Sequence, residues 1–348
     1  MDFFNLYDNQ QEIPSRQAFT QAREKINFLA FKDFFEKSCE LAIDAEEARL
    51  YKGFRLLAVD GTSFIVGAMA KLAKFFGKST SIKDKAMCRL SAVVDVLNNS
   101  IVDTIVSPFS IGERALALEQ AIKLSGISNA LFIFDRGYWS PELVNTIITN
   151  GQKFIMRLAS SAGKAIALDD NGKEHELRRC SFTLPSGELE MLLTNLTPEE
   201  VSDSELAALY AKRWGAETKF LELKDRLQVD SFSGESVNIV LQDIYATLYI
   251  SNLVAFLCFE SDEVIKARTA DKGNKYKQRT NRSTCISALR QRFISICLLG
   301  NEALVSDALQ RLCHDISRDV VYIGKSKSRP RDKRKIKDAR LHAFKSLL

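Results

Sequence analysis

The feature that most constrains this chain is a change of texture at Phe54. From there to Leu158, short apolar runs alternate with helix-patterned segments. Leu56-Leu57-Ala58-Val59 reads as a buried strand that leads into a turn at Asp60-Gly61-Thr62. Leu90–Leu97 and Ile101–Val106 read as two more strands, joined by the hairpin signal Asn98-Asn99. Gly112–Leu124 has the spacing of an amphipathic helix closed by Gly126, and Ala130–Phe134 is a wholly apolar strand ending on Asp135-Arg136-Gly137-Tyr138. Ser140-Pro141-Glu142 opens another helix, with serine as cap and proline in the first turn, and Lys153–Leu158 is a further strand. A sheet with helices packed on it accommodates this order, so the expected class is α/β of the mixed, α+β kind.

The flanks read differently. Ser15 is a plausible cap for a helix over Arg16–Asn27, and Phe31–Leu50 carries apolar positions at helical spacing. Between 159 and 196, Gly163, Asp169-Asp170-Asn171-Gly172 and Pro185-Ser186-Gly187 punctuate short strand-like pieces, the pattern of a small β insertion. Thr197-Pro198-Glu199-Glu200 reads as the start of a long helix reaching about Leu227, with helices beyond it. At 348 residues the chain exceeds the usual single-domain length. The expected division is a helical region over 1–50, a core over 51–158 plus 197–260, the insertion over 159–196, and a helical, basic region over 261–348.

Composition closes off several classes. With 46% hydrophobic and 27% charged residues the chain is globular rather than disordered. The longest nearly uncharged run, Ile244–Phe259, has 16 residues, short of the roughly 18 needed to span a bilayer. Met1-Asp2-Phe3-Phe4 leads into polar sequence, so neither a leader nor a membrane partner is expected. Seven cysteines without a CxxC, mostly among apolar neighbours, read as reduced core thiols. Three scattered histidines favour neither a zinc site nor a Ser-His-Asp or Cys-His hydrolase, which leaves carboxylates to carry any chemistry. The net charge of +5 hides a segregation: 264–292 and 325–348 each carry +8, so the rest stands at −11. Two basic stretches on an acidic body point to a polyanion such as nucleic acid, or equally to a solvated helix face and tail.

Asp60 and Asp135 each follow an apolar strand, where a rigid backbone and a small neighbour leave room for a hard cation and phosphate. An ordinary Asp-Gly turn has the same sequence. On the helix from Thr197, Tyr210, Arg213, Glu217 and Lys224 fall within an arc of about 60° at ~100° per residue. Leu209, Phe220, Leu223 and Leu227 form an apolar stripe beside them. Such a helix can pack through its leucines while Glu217 supplies a third ligand and Arg213 and Lys224 hold phosphates. Arg213 and Glu217 also have the (i, i+4) spacing of a plain surface ion pair.

Tyr210-x2-Arg213-x3-Glu217-x6-Lys224 resembles the Tyr-Arg-Glu-Lys signature of bacterial DDE transposases of the insertion-sequence-four family. Asp60-Gly61-Thr62 and Asp135-Arg136-Gly137-Tyr138 resemble the blocks around that family's first two catalytic acids. Gly151–Arg157 resembles the following strand, and Ser15–Arg23 the helix before the core. The resemblance implies a ribonuclease-H-like catalytic core with a β insertion between the second and third acids. It implies Asp60, Asp135 and Glu217 as catalytic triad and metal ligands, and two Mg²⁺ ions for which Mn²⁺ can substitute. Tyr210, Arg213 and Lys224 would grip DNA phosphates. The implied activity is cleavage at the ends of an insertion sequence and strand transfer into target DNA, by a homodimer on double-stranded DNA in the bacterial cytoplasm, associated with the nucleoid. About 14 residues precede Ser15, so an end-reading amino-terminal domain is expected to be absent or reduced. A transposase-derived DNA-binding protein without cleavage is the alternative. Trp139 and Trp214 flank signature blocks, and both are expected to pack rather than stack on a base.

Overall fold

The computed structural model describes residues 15–78, 85–159, 174–183, 189–273 and 275–324, with isolated positions 168, 172 and 187. Two helices open it, α1 (Arg16–Glu24), capped by the Ser15 side chain, and α2 (Phe28–Asp44). Then come β1 (Arg55–Gly67), α3 (Ala70–Phe76), β2 (Ala86–Asp95), β3 (Ser100–Pro108) and α4 (Glu113–Lys123). β4 (Ala130–Phe134), α5 (Pro141–Thr149) and β5 (Lys153–Leu158) follow, and a hairpin of β6 (Arg178–Thr183) and β7 (Leu189–Thr194).

These strands form one sheet in the order β3-β2-β1-β4-β5-β7-β6. β1, β2 and β3 are an antiparallel meander, while β4 lies parallel to β1 and β5 parallel to β4. That five-strand arrangement is ribonuclease-H-like, and its last two strands arrive by helical crossovers, as parallel pairing requires. Within 159–196, β6 and β7 form a hairpin that continues the sheet by pairing antiparallel to β5. Gly163, Asp169-Asp170-Asn171 and Pro185-Ser186 lie outside the described residues.

Strand alternation sorts the core into two halves. Leu56, Ala58, Leu131, Ile133 and Ile155 face one way, against α2 and the later helices. Leu57, Val59, Phe132, Phe134, Phe154 and Met156 face the other, against α4 and α5. Strands covered on both faces must be apolar throughout, which is why β4 and β5 stand out in sequence. Asp60-Gly61-Thr62 is not a turn. β1 runs on through it because Gly61 pairs with Ser91 and Phe64 with Cys88 in β2, and that ladder overrides the local turn preference.

The long helix expected from Thr197 is also different. Thr197 and Glu200 close only a local turn, the Glu200 N–H donating to Thr197 Oγ1 (3.3 Å). The helix starts at α6 (Asp203–Tyr210) under a reciprocal cap between Ser202 and Glu205. A 3₁₀ turn (Ala211–Arg213), α7 (Trp214–Leu221) and a π-helical turn (Glu222–Arg226) continue it. The predicted stripe is buried all the same: Leu209, Phe220, Leu223 and Leu227 are in the core.

Next stands α8 (Val237–Thr269), 33 residues long. By length and composition it would suffice to cross a membrane, although no uncharged run predicted that; 72% of its most apolar window is buried inside the protein. The chain then forms β8 (Lys277–Thr280), α9 (Arg282–Cys297), α10 (Glu302–Ile316) and β9 (Val320–Ile323), with β8 and β9 paired as a separate antiparallel ribbon. All seven cysteines are free thiols, six of them buried, as their neighbours predicted. The basic stretch 325–348 lies outside the described residues.

Candidate active site

The register of β1 and β4 builds the site. Ala58 lies beside Ile133 in the last pair of this parallel ladder, and Asp60 and Asp135 each stand two residues beyond it. Neighbouring strands lie about 4.8 Å apart. Asp60 shares its parity with Leu56 and Ala58, and Asp135 with Leu131 and Ile133. Both carboxyl groups therefore leave the sheet on the face that α6 and α7 cover. Backbone fixes each one: the Gly61 N–H donates to Asp60 Oδ1 (2.9 Å), and the Arg136 N–H donates to Asp135 Oδ1 (2.8 Å).

The signature residues come down onto these acids. The Tyr210 hydroxyl donates to Asp135 Oδ1 (3.4 Å). Arg213 is 7% exposed, and its Nη2 donates to Glu217 Oε1 (2.8 Å). The (i, i+4) pair is thus no solvated surface contact; it is roofed by the Trp214 ring, 5.5 Å from the guanidinium. Lys224 Nζ donates to the hydroxyl of Thr62, two residues beyond Asp60 and on the same face of β1. All six sequence-predicted residues, Asp60, Asp135, Tyr210, Arg213, Glu217 and Lys224, are brought to one place. Trp214 departs from expectation: it is half-exposed rather than packed in the stripe, while Trp139 packs on the Phe132–Phe134 cluster.

Electrostatics record the crowding. Burial pushes the Asp60 carboxyl up, the Gly61 N–H and Arg213 pull it back, and the negative charges of Glu217 and Glu113 push it further up. Burial raises the Tyr210 phenol too, with Arg213 opposing and Asp135 reinforcing the rise.

Sequence reasoning missed several neighbours. Glu113, the first residue of α4, reaches the site: a Cβ on Gly61 would lie 3.5 Å from its carboxyl carbon. In sequence it was indistinguishable from any acid in a first helical turn. Tyr138 places a buried hydroxyl within electrostatic reach of Asp60, Glu113 and Asp135. Below the site, Lys219, Glu222 and Arg282 form a buried ion network: Lys219 Nζ lies 3.3 Å from Glu222 Oε1, and Arg282 Nη2 2.8 Å from the same oxygen. The Lys219–Glu222 spacing between Phe220 and Leu223 was a usable sign of burial, whereas Arg282 is 60 residues away.

An all-oxygen donor set of three carboxylates suits a hard divalent cation. Among the described residues no three such side chains converge on one point, because Glu217 is turned onto Arg213. Two buried polar atoms beside the acids, Tyr138 Oη and Arg213 Nε, have no hydrogen-bond partner among the described residues. Buried polar atoms are nearly always satisfied. Orphans at this spot fit a place built for a hydrated cation and an anionic substrate.

Residues 40–253, which include all six of these positions, match the family model of the transposase DDE domain. The chain belongs to that family. It is similar, at 23% identity over 282 residues, to the transposase InsG for insertion sequence element IS4 of Escherichia coli (strain K12). That alignment takes in 72% of this chain and 62% of the relative, so the chain spans less than two thirds of the relative's length. A cryo-EM structure of a piggyBac transposase synaptic complex with hairpin DNA aligns with 74% of this chain and 57% of its own, at 10% identity and a TM-score of 0.42.

Proposed function

We propose that this chain is a DNA transposase: it cleaves DNA at the ends of an insertion sequence and transfers the freed strands into target DNA. Family membership and the InsG relative support the activity. One observation supports the site assignment: Asp60 and Asp135 each stand two residues beyond the paired Ala58 and Ile133, with Tyr210 donating to Asp135 and Arg213 and Glu217 within electrostatic reach of Asp60. Asp60, Asp135 and Glu217 are the catalytic triad and would hold divalent metal, two Mg²⁺ ions or Mn²⁺ in their place. When bound, such a pair activates the attacking oxygen and neutralises charge at the leaving oxygen.

The protein's own groups do the positioning. Strand pairing and backbone N–H donors fix Asp60 and Asp135, and the Tyr210 hydroxyl orients Asp135 from above. Arg213 holds the Glu217 carboxylate until substrate arrives, then turns its fork to a phosphate, while Lys224 serves as a point charge on the Thr62 side. Residues 51–158 and 197–260 form the catalytic core, 159–196 the insertion, and 1–50 and 261–348 the flanking helical regions. Double-stranded DNA is the partner, at both element ends and target. Cutting two ends calls for two copies, hence a homodimer, acting in the bacterial cytoplasm on nucleoid DNA.

The test is Mg²⁺- or Mn²⁺-dependent nicking of duplex DNA carrying the flanking element's ends, with wild type beside Glu217→Ala. Nicking at the ends that vanishes in the variant, with DNA binding retained, is expected. Nicking that survives Glu217→Ala overturns the triad.

A further inference from the structure

The nine Lys/Arg of 264–292 are one block in sequence, but the structure divides them. Four are spent internally. Lys266 pairs with Glu263 (3.0 Å), Arg268 donates to the Ser317 carbonyl (2.6 Å), Arg282 to Glu222 (2.8 Å) and Arg292 to Asp315 (2.8 Å). Lys272, Lys275, Lys277, Arg279 and Arg290 are exposed, and none is paired with an acid among the described residues. Four of these five lie between 272 and 279, on and just before β8.

The ribbon register shows where the strand's charges point. Lys277 pairs with Ile323 and Arg279 with Val321, so all four side chains share one face. The opposite face carries Thr280, 2% exposed, whose N–H and hydroxyl both donate to Asp262 Oδ1 (2.7 and 2.8 Å). The body of the protein lies on the Thr280 side, and the Lys277–Arg279 face looks outward. Asp271 is the segment's sole acid, and β9 runs directly into 325–348, with ten Lys/Arg against two Asp. Lys277 and Arg279 give the outward face of the ribbon its positive charge, and neither is paired with an acid among the described residues.

The ribbon is also tied to the candidate site. β8 passes through Asn281 to Arg282, whose fork grips Glu222 two residues before Lys224. Lys277 is five residues from Arg282, at most about 17 Å of extended chain. That is half of one turn of B-DNA, about 34 Å.

We infer that the outward face of the β8–β9 ribbon, with Lys277 and Arg279, is a second contact for duplex DNA, gripping backbone phosphates beside the segment held at the active site. The inference rests on the proposed DNA-cleaving function. Phosphates rather than base edges are the target, because the outward face presents two cations and two aliphatic side chains and no amide able to read a base.

The experiment measures how binding of a random-sequence duplex of about 30 base pairs falls with salt, for wild type, Lys277→Ala/Arg279→Ala and Arg290→Ala. Each lost phosphate contact removes about 0.9 from the slope of log K against log salt. The double variant should flatten the slope by about 1.8. Arg290→Ala, off the ribbon, should leave the slope as it is. A steep wild-type slope that the double variant fails to change overturns the ribbon contact while the transposase reading stands. An Arg290→Ala effect as large as the ribbon's overturns it in favour of diffuse charge. A wild type that does not bind duplex DNA overturns both.

Discussion

Replacing Glu222 with Gln keeps the shape of a buried side chain and deletes its charge. Glu222 is 7% exposed and stands between Lys219, 1% exposed, and the Arg282 fork. Burial alone would raise its carboxyl, but Lys219 and Arg282 together bring it from 4.5 to about 2. At about 1.4 kcal/mol per pH unit that depression is worth roughly 3 kcal/mol. Breaking a buried ion network by removing one member costs about 3–5 kcal/mol, so the two routes agree. An unfolding entropy of about 2.1 cal/mol/K per residue gives ~0.7 kcal/mol/K for a chain this long, and hence a fall in Tm of about 4–7 °C. The pH dependence sharpens the test. Burial brings Lys219 from 10.5 down to about 8 even with Glu222 beside it. Without the carboxylate it falls further, and between the folded and unfolded values the unfolded chain binds more protons, so stability rises with pH. The variant's deficit should therefore be larger at pH 6 than at pH 9 in thermal melts followed by circular dichroism. For wild type, the Glu222 contribution is present above pH 4.5 and is lost as pH falls towards 2. A Tm change below about 1.5 °C, or a deficit flat between pH 6 and 9, would refute the reasoning.

Other perturbations follow from the same geometry. Arg213→Ala and Lys224→Ala should each flatten the salt dependence of DNA-end binding by about 0.9; an unchanged slope would leave Arg213 a partner of Glu217 alone and Lys224 a partner of Thr62. Gly215 lies against the β2–β3 turn, where an added Cβ would sit 2.9 Å from Val96 Cβ. Gly215→Ala should cost about 1–3 kcal/mol in denaturant unfolding and lower nicking, since Glu217 is two residues away; a cost below about 0.5 kcal/mol would show that the turn gives way freely.

What the sequence revealed and what it hid divide along the range of the forces involved. β4 and β5 were legible because burial on both faces demands an unbroken apolar run, and that demand is local. The strand through Asp60 was not, because its continuation depends on a partner some 30 residues away, Ser91 opposite Gly61. The signature helix is the instructive case. Its sequence predicts one regular α-helix, yet it contains a 3₁₀ turn and a π turn, and Tyr210, Arg213, Glu217 and Lys224 still converge. A 3₁₀ turn overwinds the chain and a π turn underwinds it, so the two errors in the angular arithmetic carry opposite signs. The tight turn sits between Tyr210 and Glu217, and the wide one carries Lys224 back towards Thr62. Charge was the least legible property, for the same reason of range. Arg282 and Arg279 are three residues apart and identical in composition, but one is locked to Glu222 and the other is exposed on the ribbon with no acid partner among the described residues. One basic stretch thus contains both a guanidinium buried against Glu222 beneath the signature helix and exposed cations on the ribbon. Only the pairing of each guanidinium and ammonium group tells which is which.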